Sequence, residues 1–351
     1  RVAMLKRLTQ RERFEQLIAD FEPLLRNAFM ESIADIKSNI QIKRIVERLE
    51  RNDIAGAFDM LHMEPSAFRP LDRAIAQAFE GGGVSAVSSL PVLYDPTGHQ
   101  LVVRFDVRNY RAEHWLSSHS SDLITNIIED QRRAVAKSLT AGMEAGNNPR
   151  STALELVGRL NRITGRREGG ILGLTSIQAE YVATARHELA SGDAALMKNY
   201  LTRNRRDRRF DKTVTAAIRD GRSLAADVIS RIAGQYEDSL LKLRGDTISR
   251  TETLTALNAS NQEAFRQGLD KTDYTEQDVT RVWNTAHDER VRHSHAAMDG
   301  QEVKGLNTPF TAPDGSRLLY PGDASLGAPA NQIINCRCMQ FIRLNYAKGV
   351  D

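Results

Sequence analysis

Between residues 11 and 39 the apolar side chains Phe14, Leu17, Ile18, Phe21, Leu24, Leu25, Ala28, Ile33 and Ile36 return at steps of three and four. A repeat of about 3.6 residues gathers such positions on one helical face, so the run predicts a long amphipathic helix whose apolar stripe must be covered. The same spacing recurs over residues 42–49 and 68–79. It returns at Leu123, Ile124, Ile127 and Ile128, and at Leu154, Val157 and Leu160. A last helix is expected over residues 224–265. The chain therefore reads as mainly α.

The breaks organise it. Gly81, Gly82 and Gly83 are expected to end the helix before them, because glycine has poor helix propensity. Between residues 88 and 106, Pro91, Pro96 and Gly98 punctuate the text, and the composition of residues 101–105 suggests a strand, hence a linker with a short β-hairpin. Gly146, Asn147, Asn148 and Pro149 stop a further helix; Thr175 and Ser176, with Glu180 nearby, open another; Gly245 is expected to interrupt the last one. After Asp270 come strand-like pieces at residues 279–283, 317–320 and 339–344, separated by long loops at residues 300–313 and 321–329. Such loops in so small a unit need ion pairs, buried polar groups or a metal. The predicted organisation is a helical module at 1–87, a linker at 88–108, a helical module at 109–270 and a small α+β domain at 271–351.

With 351 residues the chain exceeds one hydrophobic core, and 41% hydrophobic against 26% charged residues predicts a folded protein rather than a disordered one. No apolar run reaches the length of a membrane span and the Arg-bearing start lacks a signal-peptide core, so no membrane partner is expected. Cys336 and Cys338 are the only cysteines; one residue apart, they suit reduced thiols or metal ligands better than a strained disulfide.

The net charge of +3 does not mark the whole chain as a nucleic-acid binder, but Arg203, Arg205, Arg206, Arg208 and Arg209 crowd one stretch. They could sit on DNA phosphates, or form a solvated loop neutralised by Asp207 and Asp211, or a protein contact. The segment at residues 165–173, beside Arg166 and Arg167, could cradle phosphate, but it fits neither a P-loop nor a dinucleotide fingerprint and reads as an interhelix loop.

The C-terminal text carries an ordered series of uncommon elements. Arg250-Thr251-Glu252-Thr253 precedes Trp283, which opens a stretch containing Asp288, Arg290, Arg292 and His295; Asp299 and Gly300 follow, then Pro309-Phe310, Pro321-Gly322-Asp323, Pro329 and finally Asn335-Cys336-Arg337-Cys338. This series resembles the signature of the phage Mu protein F-like head morphogenesis family. His293 departs from the family pattern. The resemblance implies a minor head protein of a tailed phage, present in few copies in the virion and bound near the portal protein. It also implies neighbours in the major capsid protein and in the packaged double-stranded DNA, and assembly in the host cytoplasm. No enzymatic activity and no cofactor are expected, since no nucleophile-base-orienter arrangement can be read from the sequence.

Chemistry remains open at one cluster. His295, Cys336 and Cys338, with His293 or Asp288 as a fourth donor, are the residue types of a structural zinc site; equally, the thiols can be packing residues and His295 a hydrogen-bonded structural group. Asp288, His295 and Glu252 could serve a metal-supported hydrolytic site, the alternative function. Against that, Arg290, Arg292 and Arg337 offer the carboxylates structural partners. Trp283 could stack on a base, although a tryptophan within an apolar strand is expected in the core.

Overall fold

The computed structural model describes residues 8–345. In chain order the helices are α1 (Gln10–Asn39), α2 (Ile42–Leu49), α3 (Ile54–Asp59), α4 (Arg69–Val87), α5 (Tyr110–Glu144) and α6 (Pro149–Val157). A two-residue ladder follows, β1 (Arg159–Leu160) with β2 (Arg167–Glu168), and then α7 (Ser176–Ala190), α8 (Ala194–Thr202), α9 (Asp211–Arg219) and the long α10 (Ala226–Leu269). The last part alternates β3 (Val279–Asn284), α11 (His293–Ala296), β4 (Glu302–Lys304), β5 (Phe310–Thr311), β6 (Arg317–Leu318), α12 (Ala330–Ile333) and β7 (Met339–Leu344). The chain is mainly α with small antiparallel sheets near its C-terminal end, as its periodicity predicts. No helix among the described residues is long and apolar enough to cross a membrane.

The chain divides into two units built from non-adjacent stretches. One comprises Arg1–Ala28, Leu71–Ser120 and Asp246–Asp351; the other comprises Phe29–Pro70 and Ser121–Gly245. Neither follows the linear segmentation at residues 87, 108 and 270, because α1, α5 and α10 each contribute residues to both units.

In the first unit the sheet runs β4-β3-β7, with β3 central and antiparallel to both neighbours. Alternate residues of β3, Val279, Arg281 and Trp283, are buried, the period-two signature of a strand with one covered face. Leu254 and Leu257 of α10 join Phe14 of α1 in a core cluster with Trp283, Met298, Phe310 and both cysteines. Phe265 and Leu269 pack with Val279, Leu306, Ile342 and Leu344 in a second cluster. The sheet therefore shares its core with helical residues far away in the sequence.

Several expectations are corrected here. Gly81, Gly82 and Gly83 do not end a helix but lie inside α4. A Cβ on Gly81 would fall 2.4 Å from the Phe21 ring, on Gly82 2.4 Å from Ser260 Oγ and on Gly83 2.3 Å from the Phe105 ring, so the missing side chains admit these neighbours. Gly245 does not interrupt α10, which is helical through that position. The hairpin of the 88–108 linker reduces to one antiparallel bridge, Tyr94 with Gln100. Residues 101–105 form no strand: Leu101 and Val103 alternate toward the second cluster as a strand would, but the backbone joins no ladder.

In the second unit, Asn148 accepts the Arg150 N–H as the N-cap of α6, with Pro149 in the first turn. Thr175 caps α7 as expected, but its capping-box partner is Gln178, three residues on. Glu180 instead pairs with Lys137 at 2.5 Å.

Candidate functional site

The site assembles where α10 meets the approach to β7. Asn335 adopts a left-handed φ of 56°, a conformation its short polar side chain tolerates, and donates its backbone N–H to Thr251 Oγ1 at 3.0 Å. Asn258 of α10 donates to the Cys338 carbonyl and accepts the Gln340 N–H, each at 3.2 Å. The helix carrying Thr251 and Glu252 thus fixes the turn that presents Asn335-Cys336-Arg337-Cys338. Residues two apart in extended chain project to the same side. Both thiols are accordingly buried, whereas Arg337 between them reaches Asp288 in a bidentate pair at 2.8 and 2.5 Å.

On the inner side, His295 of α11 is 1% exposed. Its Nδ1 lies 3.5 Å from Cys336 Sγ and 3.4 Å from Cys338 Sγ. Its ring meets Trp283 edge to face at 5.1 Å, and Trp283 meets Phe310 the same way at 5.3 Å. His295 Nε2 is buried with no hydrogen-bond partner among the described residues. Burial opposes ionisation of Cys336, but hydrogen bonds from Cys338 and His295 outweigh it and bring its thiol well below the ordinary value. Cys338 is pushed up, first by its hydrogen bond to Cys336 and then by burial. Of two adjacent thiols, one is disposed to ionise and the other to keep its proton.

Residues 208–341 match the family model described as Phage Mu protein F like protein. The chain carries a Mu F-like region. No curated protein and no solved structure gives a match. The Mu F-like region begins within the arginine stretch, takes in α9 and α10, and ends inside β7, so it holds the whole motif series from Arg250 to Cys338.

Within the Mu F-like region most motif residues hold loops in place. Arg292 donates to the carbonyls of Asn331, in α12, and Ile334, just after it, and joins no ion pair among the described residues. The side chain of Arg290 is exposed and joins no ion pair among the described residues; its backbone N–H is donated to Asp288. Asp299 accepts the Thr285 N–H and hydroxyl at 2.8 and 3.0 Å, and Gly300, at φ 75°, donates to the Trp283 carbonyl. Arg250 pairs with Glu22 at 3.0 Å. Trp283 is fully buried and is a core residue, not a stacking platform.

The hydrolytic set does not converge. Glu252 is held by His119 at 2.5 Å, Asp288 by Arg337, and His295 by the two cysteines. Neither proposed fourth donor joins the cluster: among the described residues His295, Cys336 and Cys338 form the metal-capable group by themselves, and His293 is exposed.

One residue escaped sequence reasoning. Arg281 is fully buried and donates to three carbonyls, Gly305 at 2.8 Å together with Thr308 and Leu319, while lying 5.1 Å from the Phe310 ring. It is the buried polar group that the long loops required. Its signal was parity, since it shares the inward face of β3 with Val279 and Trp283.

In the second unit three of the five clustered arginines are engaged. Arg203 pairs with Glu188 at 2.9 Å and lies over the Tyr236 ring; Arg206 grips Asp211 through two bonds of 2.9 Å; Arg209 pairs with Asp207 at 2.6 Å. Arg205 and Arg208 are exposed and join no ion pair among the described residues. The 165–173 loop is no phosphate cradle: the amides of Gly169 and Gly170 are donated to Asp238 and Glu237, at 2.8 and 2.5 Å, and Arg167 binds the carbonyls of Lys37 and Gly158.

Proposed function

We propose that this chain is a minor structural protein of a tailed-phage head, bound at the portal vertex and incorporated during head morphogenesis. The observation that carries the reading is the Mu F-like match over residues 208–341. The site chemistry supports it. Most of the region's charged motif residues are engaged by other groups of the fold, and its candidate acid and base groups sit with separate partners, as in a scaffold rather than a hydrolytic centre. The portal protein is the principal partner, with the major capsid protein and the packaged duplex as secondary ones. Arg205 and Arg208 are the side chains free to meet phosphate in the arginine stretch.

An intensity-calibrated mass-spectrometric count in purified virions, with a portal pull-down from the same lysate, tests the assignment. A copy number far below that of the major capsid protein, with recovery on the portal, is the expected result. Absence from virions overturns it.

A further inference from the structure

We infer that His295 Nδ1 and the thiolates of Cys336 and Cys338 form a binding site for one thiophilic closed-shell metal ion, Zn2+ or Cu+. A tetrahedral zinc ion with ordinary bond lengths sets its sulfur and nitrogen ligands about 3.5 Å apart. The two sulfur-to-nitrogen separations are 3.5 and 3.4 Å, and all three ligand atoms lie within 4.8 Å of one another. A single imidazole nitrogen has one lone pair, which can accept one S–H well, yet both sulfurs face it at nearly the same distance. An ion between them uses all three donors at once.

The surroundings favour the same conclusion. All three residues are at most 2% exposed, so the donors are removed from competing water and packed against Trp283, Met298 and Phe310. The turn at Asn335 and the hydrogen bonds from Asn258 fix both thiols on one side of the chain before any ion arrives. Soft sulfur with imidazole selects zinc or monovalent copper over hard cations. Binding exchanges each remaining S–H bond for a sulfur–metal bond, with the protons released to solvent. No fourth protein donor is present among the described residues, so Cu+ would be held by these three ligands and Zn2+ would add a water or small anion. The ion would tie α11 to the root of β7, closing a 41-residue separation. The inference rests on these side chains and is independent of the head assignment.

The full chain, purified under reducing conditions, is assayed for metal by inductively coupled plasma mass spectrometry. It is then stripped with chelator and titrated anaerobically with Co2+ or Cu+. About one ion per chain is expected. Zinc predicts a near-ultraviolet thiolate-to-cobalt band on Co2+ addition; one-equivalent Cu+ uptake without that band assigns copper. Cys336→Ser with Cys338→Ser abolishes uptake, His295→Gln weakens it by more than the roughly 100-fold upper range of outer-shell changes, and Arg290→Ala leaves it unchanged. Should the ligand variants fail to fold, the wild-type titration decides alone: no copurified metal, no cobalt band and no Cu+ uptake, with both thiols free, overturns the site.

Discussion

A guanidinium inside a protein loses its hydration, and its N–H donors must find acceptors in the fold. Arg281 does so by donating to three carbonyls of separate loop positions, while burial lowers its pKa to about 10. Arg281→Met leaves those carbonyls without donors and is expected to lower stability by about 3 kcal/mol in urea unfolding. Arg281→Lys recovers only part, because one ammonium cannot span three diverging acceptors. A loss for the methionine variant below about 0.5 kcal/mol would show that the loops stand without this residue. Asp288 works at the exposed edge of the same region. Hydrogen bonding from Arg337, assisted by the Arg290 backbone N–H and both positive charges, lowers its carboxyl from 3.8. A depressed carboxyl stabilises the fold above its unfolded value, and that contribution is lost as pH falls through the folded value. Asp288→Asn should therefore be less stable than wild type at neutral pH, with the gap shrinking progressively below 3.8, as followed by urea unfolding across pH. A gap that does not depend on pH would assign the loss to packing instead.

Helices α4 and α10 each contain glycine that propensity alone treats as a break, yet the glycines differ in what surrounds them. A Cβ at Gly82 would lie 2.4 Å from Ser260 Oγ, 2.8 Å from Leu257 Cδ2 and 3.3 Å from the Leu257 Cα, so backbone as well as side chain stands in the way. At Gly245 the nearest atom is the Met30 sulfur at 3.3 Å, the end of a flexible side chain. Gly82→Ala is expected to cost about 2 kcal/mol through overpacking. Gly245→Ala is expected to be neutral or to gain up to about 1 kcal/mol from helix propensity. Thermal melts of the two variants compare them directly, and equal shifts would refute the close-packing account of α4. Here lies the boundary of what the sequence made legible. Repeats confined to one element, such as the apolar faces of α1 and α2 and the strands β3 and β7, depend on local periodicity and were readable. The continuation of α4 through its glycines depends on Phe21, Phe105 and Ser260, residues remote in sequence, and no local rule could see it. Residues 101–105 failed for a related reason: alternation reports which side chains turn inward, not whether a neighbouring strand exists to bond the backbone. The cluster was legible by residue type at His295, Cys336 and Cys338, whereas its lack of His293 and Asp288 became visible only with α11 and the Arg337 pair in place.

For the molecule as a whole, a net charge of +3 leaves DNA contact to local arrangement. Carboxylates already occupy Arg203, Arg206 and Arg209, so under the proposed DNA contact the charge left for a duplex reduces to Arg205 and Arg208. Replacing both with alanine should weaken DNA binding and flatten the slope of log affinity against log salt by about 2. Arg203→Ala should destabilise the chain and leave that slope alone. An unchanged slope in the double variant would remove the stretch from the DNA-facing surface. The interleaved make-up of the first unit bears on how the protein is made. Its stretches Arg1–Ala28 and Leu71–Ser120 leave the ribosome before Asp246–Asp351 has been translated. At about 5–20 residues per second those early segments wait several seconds or more for their partners. Through that interval the apolar face around Phe14 has no Leu254, Leu257 or Trp283 to cover it. Nascent chains of this protein should therefore be clients of ribosome-associated chaperones until synthesis has passed β7.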